Sequence, residues 1–133
     1  MPCRFRYVAA HHLLIQHIIG APALPEVLAH YDAMLGHPAL PETRLELTDM
    51  RRMDGFGFDS RTLGNLVTML SVEYLRRSAT FQRGAVIVAA GPGEFAARLF
   101  QEALPPAIAP RYAVLRDAKA AIAWLKLDGC GQD

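Results

Sequence analysis

At 133 residues the chain has the length of one ordinary domain, and 52% hydrophobic residues supply a full core and argue against long disorder. Its 14 Lys and Arg against 13 Asp and Glu leave a formal charge of +1, which excludes a globally charge-driven partner such as nucleic acid or an acidic membrane surface. The 2 cysteines, Cys3 and Cys130, stand near the chain ends without CxxC spacing, so neither a disulfide framework nor a zinc site is indicated.

The first elements read as strands. Phe5 to Val8 alternates apolar and basic residues, as a half-buried strand does. His12 to Ile19 is rich in β-branched and apolar residues. The linker Ala9, Ala10, His11 is too short for a crossover, so the pair is expected as an antiparallel hairpin. Gly20 to Pro22 ends it. Leu24, Val27, Leu28, Tyr31 and Leu35 then follow helical spacing, with Pro25 in the first turn and Gly36 as the stop.

Leu45 and Leu47 alternate with Glu46 and Thr48, which predicts a third strand ending near Asp49. A Gly-containing loop runs on to Asp59 and Ser60. Leu63, Leu66, Val67, Leu70 and Tyr74 trace one face of a second helix, and Gly64 weakens it modestly. Ala85 to Ala89 is a continuous apolar run, the pattern of a central parallel strand buried on both faces. Gly91, Pro92 and Gly93 turn into a third helix with Ala96, Leu99, Phe100 and Ala103 on one face. Tyr112 to Leu115 is a last strand. Asp117 is the expected N-cap of a closing helix with Ala118, Ala121, Ile122 and Leu125 inward and Trp124 at its margin. Residues 128–133 read as a flexible tail.

The expected fold is therefore α/β: one domain over residues 1–133, with a mixed five-stranded sheet that opens on an antiparallel hairpin and continues with alternating helices and parallel strands. Leu13, Leu14 and Ile15 form too short an apolar core for a signal peptide, and no apolar run reaches membrane-spanning length. A cytoplasmic protein without a membrane span is the expectation.

Several residues invite chemistry. Asp49, Asp54 and Asp59 are spaced along one loop, but the spacing matches no calcium loop, and solvated loop carboxylates are the simpler reading. His11, His12, His17, His30 and His37 lack HxH or HxxxH spacing, so no metal is expected. Gly91 to Gly93 lacks both the dinucleotide and the P-loop pattern, and no cofactor is expected. Arg76 and Arg77 near a helix end suit the helix dipole. No GxSxG, HExxH or Cys-His arrangement is present, and nothing places a base beside Ser60; the chain reads as a non-enzyme.

Three segments carry a family resemblance: Leu47 to Arg51, Ala97 to Gln101, and Val114 to Asp117 continuing through Ala121 to Leu125. Together they resemble the STAS-type domain of bacterial anti-sigma-factor antagonists, and more closely a group of small uncharacterised SpoIIAA-like bacterial proteins. In the antagonists a serine after an aspartate, opening the second helix, is phosphorylated. Asp59 and Ser60, with Leu63 following, match that position. Arg61 and Thr62 stand where the antagonists have a small residue and a glycine, and the loop from Asp49 is longer.

The resemblance implies a non-catalytic regulatory module that docks a protein partner or a second copy of itself. Asp49, Arg51, Arg52, Asp54, Phe56 and Phe58 would form the interaction loop, and Ser60 is either a phosphosite or, with Asp59, a helix cap. Phe56 and Phe58 either fold back onto the core or supply an apolar patch. The alternative is a small-molecule or lipid-binding domain, because such folds are similar in architecture to lipid-carrying CRAL-TRIO domains. Leu66, Met69, Leu70, Phe95 and Leu99 would then line an apolar pocket.

Overall fold

The computed structural model describes residues 2–127. The tail expected at residues 128–133, and Cys130 with it, lie outside them. Strands β1 (Cys3–Val8), β2 (Leu13–Ile18), β3 (Leu45–Asp49), β4 (Arg83–Ile87) and β5 (Tyr112–Leu115) form one sheet in the order β1-β2-β3-β4-β5. β1 runs antiparallel to β2, and β2 through β5 are parallel. Helices α1 (Leu24–Leu35), α2 (Ser60–Arg76) and α3 (Pro92–Ala103) are the crossovers, and α4 (Ala118–Leu125) closes the chain. This is the expected mixed α/β fold, with strand boundaries within two residues of the sequence reading. The link between β1 and β2 is a 3-10 turn at Ala9–His11, closed by His12 in the left-handed region at φ 51°.

The sheet has two unlike faces. Along each strand successive side chains alternate sides. Ile18, Val86 and Tyr112 meet α1, α2 and α3 on one side. Leu13, Ala85, Ile87 and Leu115 meet Ala121 and Leu125 of α4 on the other. Ala85 and Val86 are both buried completely, as their place in a central parallel strand requires. On α4, Ile122 is exposed rather than inward, because Trp124 takes the margin of the face and its indole N–H donates to the Gly84 carbonyl at 2.9 Å. Ala103 is likewise exposed, since α3 ends there and the chain leaves through buried Leu104.

One pair of glycines shows how close the layers come. A Cβ at Gly93 would lie 2.7 Å from the Met50 carbonyl oxygen, so α3 reaches the β3 loop only because no side chain intervenes. Gly64, on α2, has nothing within 4 Å of an added Cβ. Gly64→Ala should therefore raise stability by about 1 kcal/mol through helix propensity. Gly93→Ala should lower it, since backbone must move. Urea unfolding of the two variants beside the parent reads the opposite signs.

Candidate functional site

The charge that the fold buries is on β3. Glu46 and Thr48 are 1% and 6% exposed and point toward α1–α3, whereas Leu45 and Leu47 are half-buried on the α4 side. The alternation is present, but the polar residues take the deeper face. A lone carboxylate there would be costly. Glu46 is instead paired: Tyr74 on α2 donates its hydroxyl to Glu46 Oε1 at 2.5 Å, and Arg77, one residue past α2, donates Nη2 to Oε2 at 2.8 Å. Burial and the Glu46 charge hold the Tyr74 phenol well above its ordinary pKa, so it remains a donor. The Arg77 guanidinium also lies over the Tyr74 ring at 5.0 Å.

Arg77 is the C-cap of α2, at the helix end expected from sequence, but its side chain turns into the interior. Its side chain is 11% exposed, and Nε and Nη1 are buried with no hydrogen-bond partner among the described residues. Arg76 does take the surface role, paired with Glu73 at 3.2 Å.

Beside this ion pair runs a second buried polar chain. His30 of α1, 7% exposed, donates Nε2–H to Gln16 Oε1 at 2.9 Å, and Gln16 Nε2 donates to Thr48 Oγ1 at 3.3 Å. The tautomer follows from Gln16 using its NH2 toward Thr48. Burial pushes the His30 pKa down to about 4, so the ring is neutral at neutral pH. The other sequence-weighed histidines form no cluster with it: among the described residues, no three His, Cys, Asp or Glu side chains converge on a metal position.

Of these polar groups, Gln16, Thr48, Tyr74 and Arg77 border a cavity of about 90 Å³ between the sheet and the helices. Its wall is mostly apolar, with Ile18, Val27, Met34, Leu66, Leu70 and Phe100 among others, and Gln16, Thr48, Glu73, Tyr74 and Arg77 are among its polar points. Phe56 and Phe58 also line it. The loop from Met50 to Asp59 folds back onto the core, held by parallel bridges Gly20–Met53 and Ala23–Gly57. Met53 is buried, and Phe56 and Phe58 pack on Leu63 and Val67. The loop's exposed residues are Arg51, Arg52, Asp54, Gly57 and Asp59.

Of the pocket residues expected from sequence, Leu66 and Leu70 line the cavity. Met69 and Phe95 do not: they are 52% and 58% exposed, on the outward faces of α2 and α3. Leu99 is half-buried against Leu63, Val67 and Ala96, beside the cavity rather than in its wall. Sequence reasoning does not single out Glu46 or Gln16, and it gives Arg77 and His30 no part in a shared site. The legible signal was Glu46 itself, a carboxylate in a strand destined for the sheet interior.

The helix cap is also reassigned. Asp59, not Ser60, is the N-cap of α2; its carboxylate accepts from the Thr62 amide at 2.8 Å. Hydrogen bonds from Thr62 hold the Asp59 carboxyl below its usual range. Ser60 is the first helical residue, and its exposed hydroxyl makes no bond among the described residues. Asp59→Ala should lower the melting temperature, whereas Ser60→Ala should leave it almost unchanged. Equal losses from both substitutions, read by circular dichroism, would reject this assignment.

No protein-family model and no curated protein matches the chain. Among solved structures it is similar to an uncharacterised protein of the DUF3478 family with a SpoIIAA-like fold from Shewanella loihica. The likeness has a TM-score of 0.64 at 16% identity and covers 92% of this chain and 93% of that one. No described helix is long and apolar enough to cross a membrane. With its hairpin-led mixed sheet, three crossover helices on one face and a closing helix on the other, the chain has a SpoIIAA-like fold.

Proposed function

We propose that the protein is a non-catalytic binding module that takes a small amphipathic molecule into the cavity between the sheet and α1–α3. The observation that carries this reading is Arg77. Two buried donor nitrogens without partners among the described residues stand at a mostly apolar wall. Buried polar atoms are normally satisfied, and an unmade hydrogen bond to a charged group is expensive. A ligand with an apolar body and a carboxylate or similar acceptor head would cover both needs. A volume of about 90 Å³ suits only a few heavy atoms. A longer ligand requires α1 and α2 to part, along the seam both helices line.

Hexanoate, octanoate and decanoate, each compared with the matching alcohol, test this by thermal shift. The acids should stabilise the protein more than the alcohols do. Leu70→Trp, which fills the cavity, should abolish the effect, and native mass spectrometry of fresh protein should show a co-purified small mass. No stabilisation by any of them, together with a clean apo mass, would sink the reading.

A second reading, docking of a protein partner or of a second copy, is favoured by one feature. Met69, Val72 and Leu75 leave an apolar stripe on the exposed side of α2. The loop itself contributes less to such a surface than its sequence suggested, because Phe56 and Phe58 turn inward.

A further inference from the structure

The face of the sheet opposite the cavity carries a polar recess of about 440 Å³, lined by Arg4, His17, Ile19, Asp49, Arg51 and Arg52. Its floor is a rung across three strands. Arg4 of β1 is the register partner of His17 on β2, and His17 is the partner of Asp49 on β3. Residues in one rung share a face, and this rung has the parity of Leu13 and Leu47, the α4 side. The recess lies at the carboxyl ends of β2 and β3, the end of a parallel sheet where ligands are bound.

The charges in the recess are ordered and unequal. Asp49 grips Arg51 in a side-on pair, accepting from Nε at 3.1 Å and from Nη2 at 2.8 Å, and it also accepts from the Arg51 amide at 3.1 Å. That pair holds the Asp49 carboxyl below the usual carboxylate range. It also fixes the guanidinium in place, with Nη1 making no bond among the described residues. Arg4 and Arg52 are exposed and have no acidic partner among the described residues. Three guanidinium charges against one carboxylate leave two net positive charges in the recess, while the whole chain carries only +1. Asp117, at the cap of α4, acts on Arg51 from outside the recess.

We propose that this recess binds a phosphate-type dianion, either inorganic phosphate or the phosphoryl group of a small phosphomonoester. Arginine presents several donors suited to phosphate oxygens, and one arginine already locked by Asp49 loses little freedom on binding. The site is independent of the cavity, on the other side of the sheet, so its failure would not touch the amphipathic-ligand reading.

The test is a ¹⁵N chemical-shift titration of the whole chain with inorganic phosphate and with phenyl phosphate, at constant ionic strength with chloride as control. Saturable shifts are expected at Arg4, His17, Arg51 and Arg52. Arg4→Gln and Arg52→Gln should each weaken binding about tenfold, the loss of one charge-assisted hydrogen bond. Arg61→Gln, an exposed arginine of α2, should leave binding unchanged. Tighter binding of phenyl phosphate identifies the ester as the ligand, and preference for the inorganic ion identifies free phosphate. Non-saturable shifts, or equal affinity in the Arg4 and Arg52 variants and the parent, would overturn the proposal. Both substitutions are at exposed side chains, so an unchanged thermal melt confirms that each variant remains folded.

Discussion

Glu46→Ala should lower the unfolding free energy by about 3–5 kcal/mol, the cost of leaving a buried partner charge uncompensated. Arg77 could not shed its proton, and with Nε and Nη1 already without partners among the described residues, its guanidinium would lose the Glu46 acceptor as well. Tyr74 would lose its partner in the same step. The double variant Glu46→Leu, Arg77→Met should recover part of that loss, because replacing both charges by apolar groups removes the desolvation cost along with the attraction, while the buried Tyr74 hydroxyl stays without the Glu46 acceptor. Denaturant unfolding of the single and double variants checks this. A single variant within about 1 kcal/mol of the parent would mean that the ion pair is not a structural element of the interior. If the double variant is stable yet no longer distinguishes carboxylates from alcohols, Arg77 serves the ligand more than the fold.

Acid should destabilise the protein between about pH 6.5 and pH 4 through His30. The ring is neutral when folded, with a pKa of about 4, and it regains an ordinary value near 6.5 when unfolded. Within that window the unfolded chain binds the extra proton, so stability rises with pH there and is lost as pH falls. The contribution is complete above about pH 6.5, and the loss amounts to about 3 kcal/mol by about pH 4, where the folded ring itself titrates. His30→Gln keeps an N–H donor toward Gln16 but cannot protonate. Its stability should therefore fall less steeply than the parent's from pH 7 to pH 4.5. Carboxylates titrate in both proteins, so only the difference between the two curves reports on His30. Parallel curves, or a folded imidazole pKa at 6.5 or above by NMR, would reject the assignment.

Much of the architecture was legible in the residues because it depends on short-range pattern. The Tyr112–Leu115 strand, the Leu24 and Asp117 helix starts and the apolar face of α2 follow from periodicity and capping chemistry. Asp117→Ala should cost about 1 kcal/mol, as expected for a cap that accepts from the Ala120 amide at 2.7 Å. The site was less legible. Leu66 and Leu70 line the cavity, whereas Met69 and Phe95 are exposed, since an apolar residue at the edge of a helical stripe can turn either way. Phe56 and Phe58 were left between two fates, and the bridges to Gly20 and Ala23 decided for the interior. Ser60 was weighed as a cap, but the chain enters the helix one residue earlier, at Asp59.

Local order, read along the chain, was enough to dictate a hairpin and alternating helices and strands. Which side of β3 lies deeper, and that Arg77 bends inward to meet Glu46 from 31 residues away, was decided only when the layers packed. Periodicity tells two faces of a strand apart but does not say which one the helices will cover. An ion pair between distant residues depends on where both backbones end up, and no short stretch of residues encodes that.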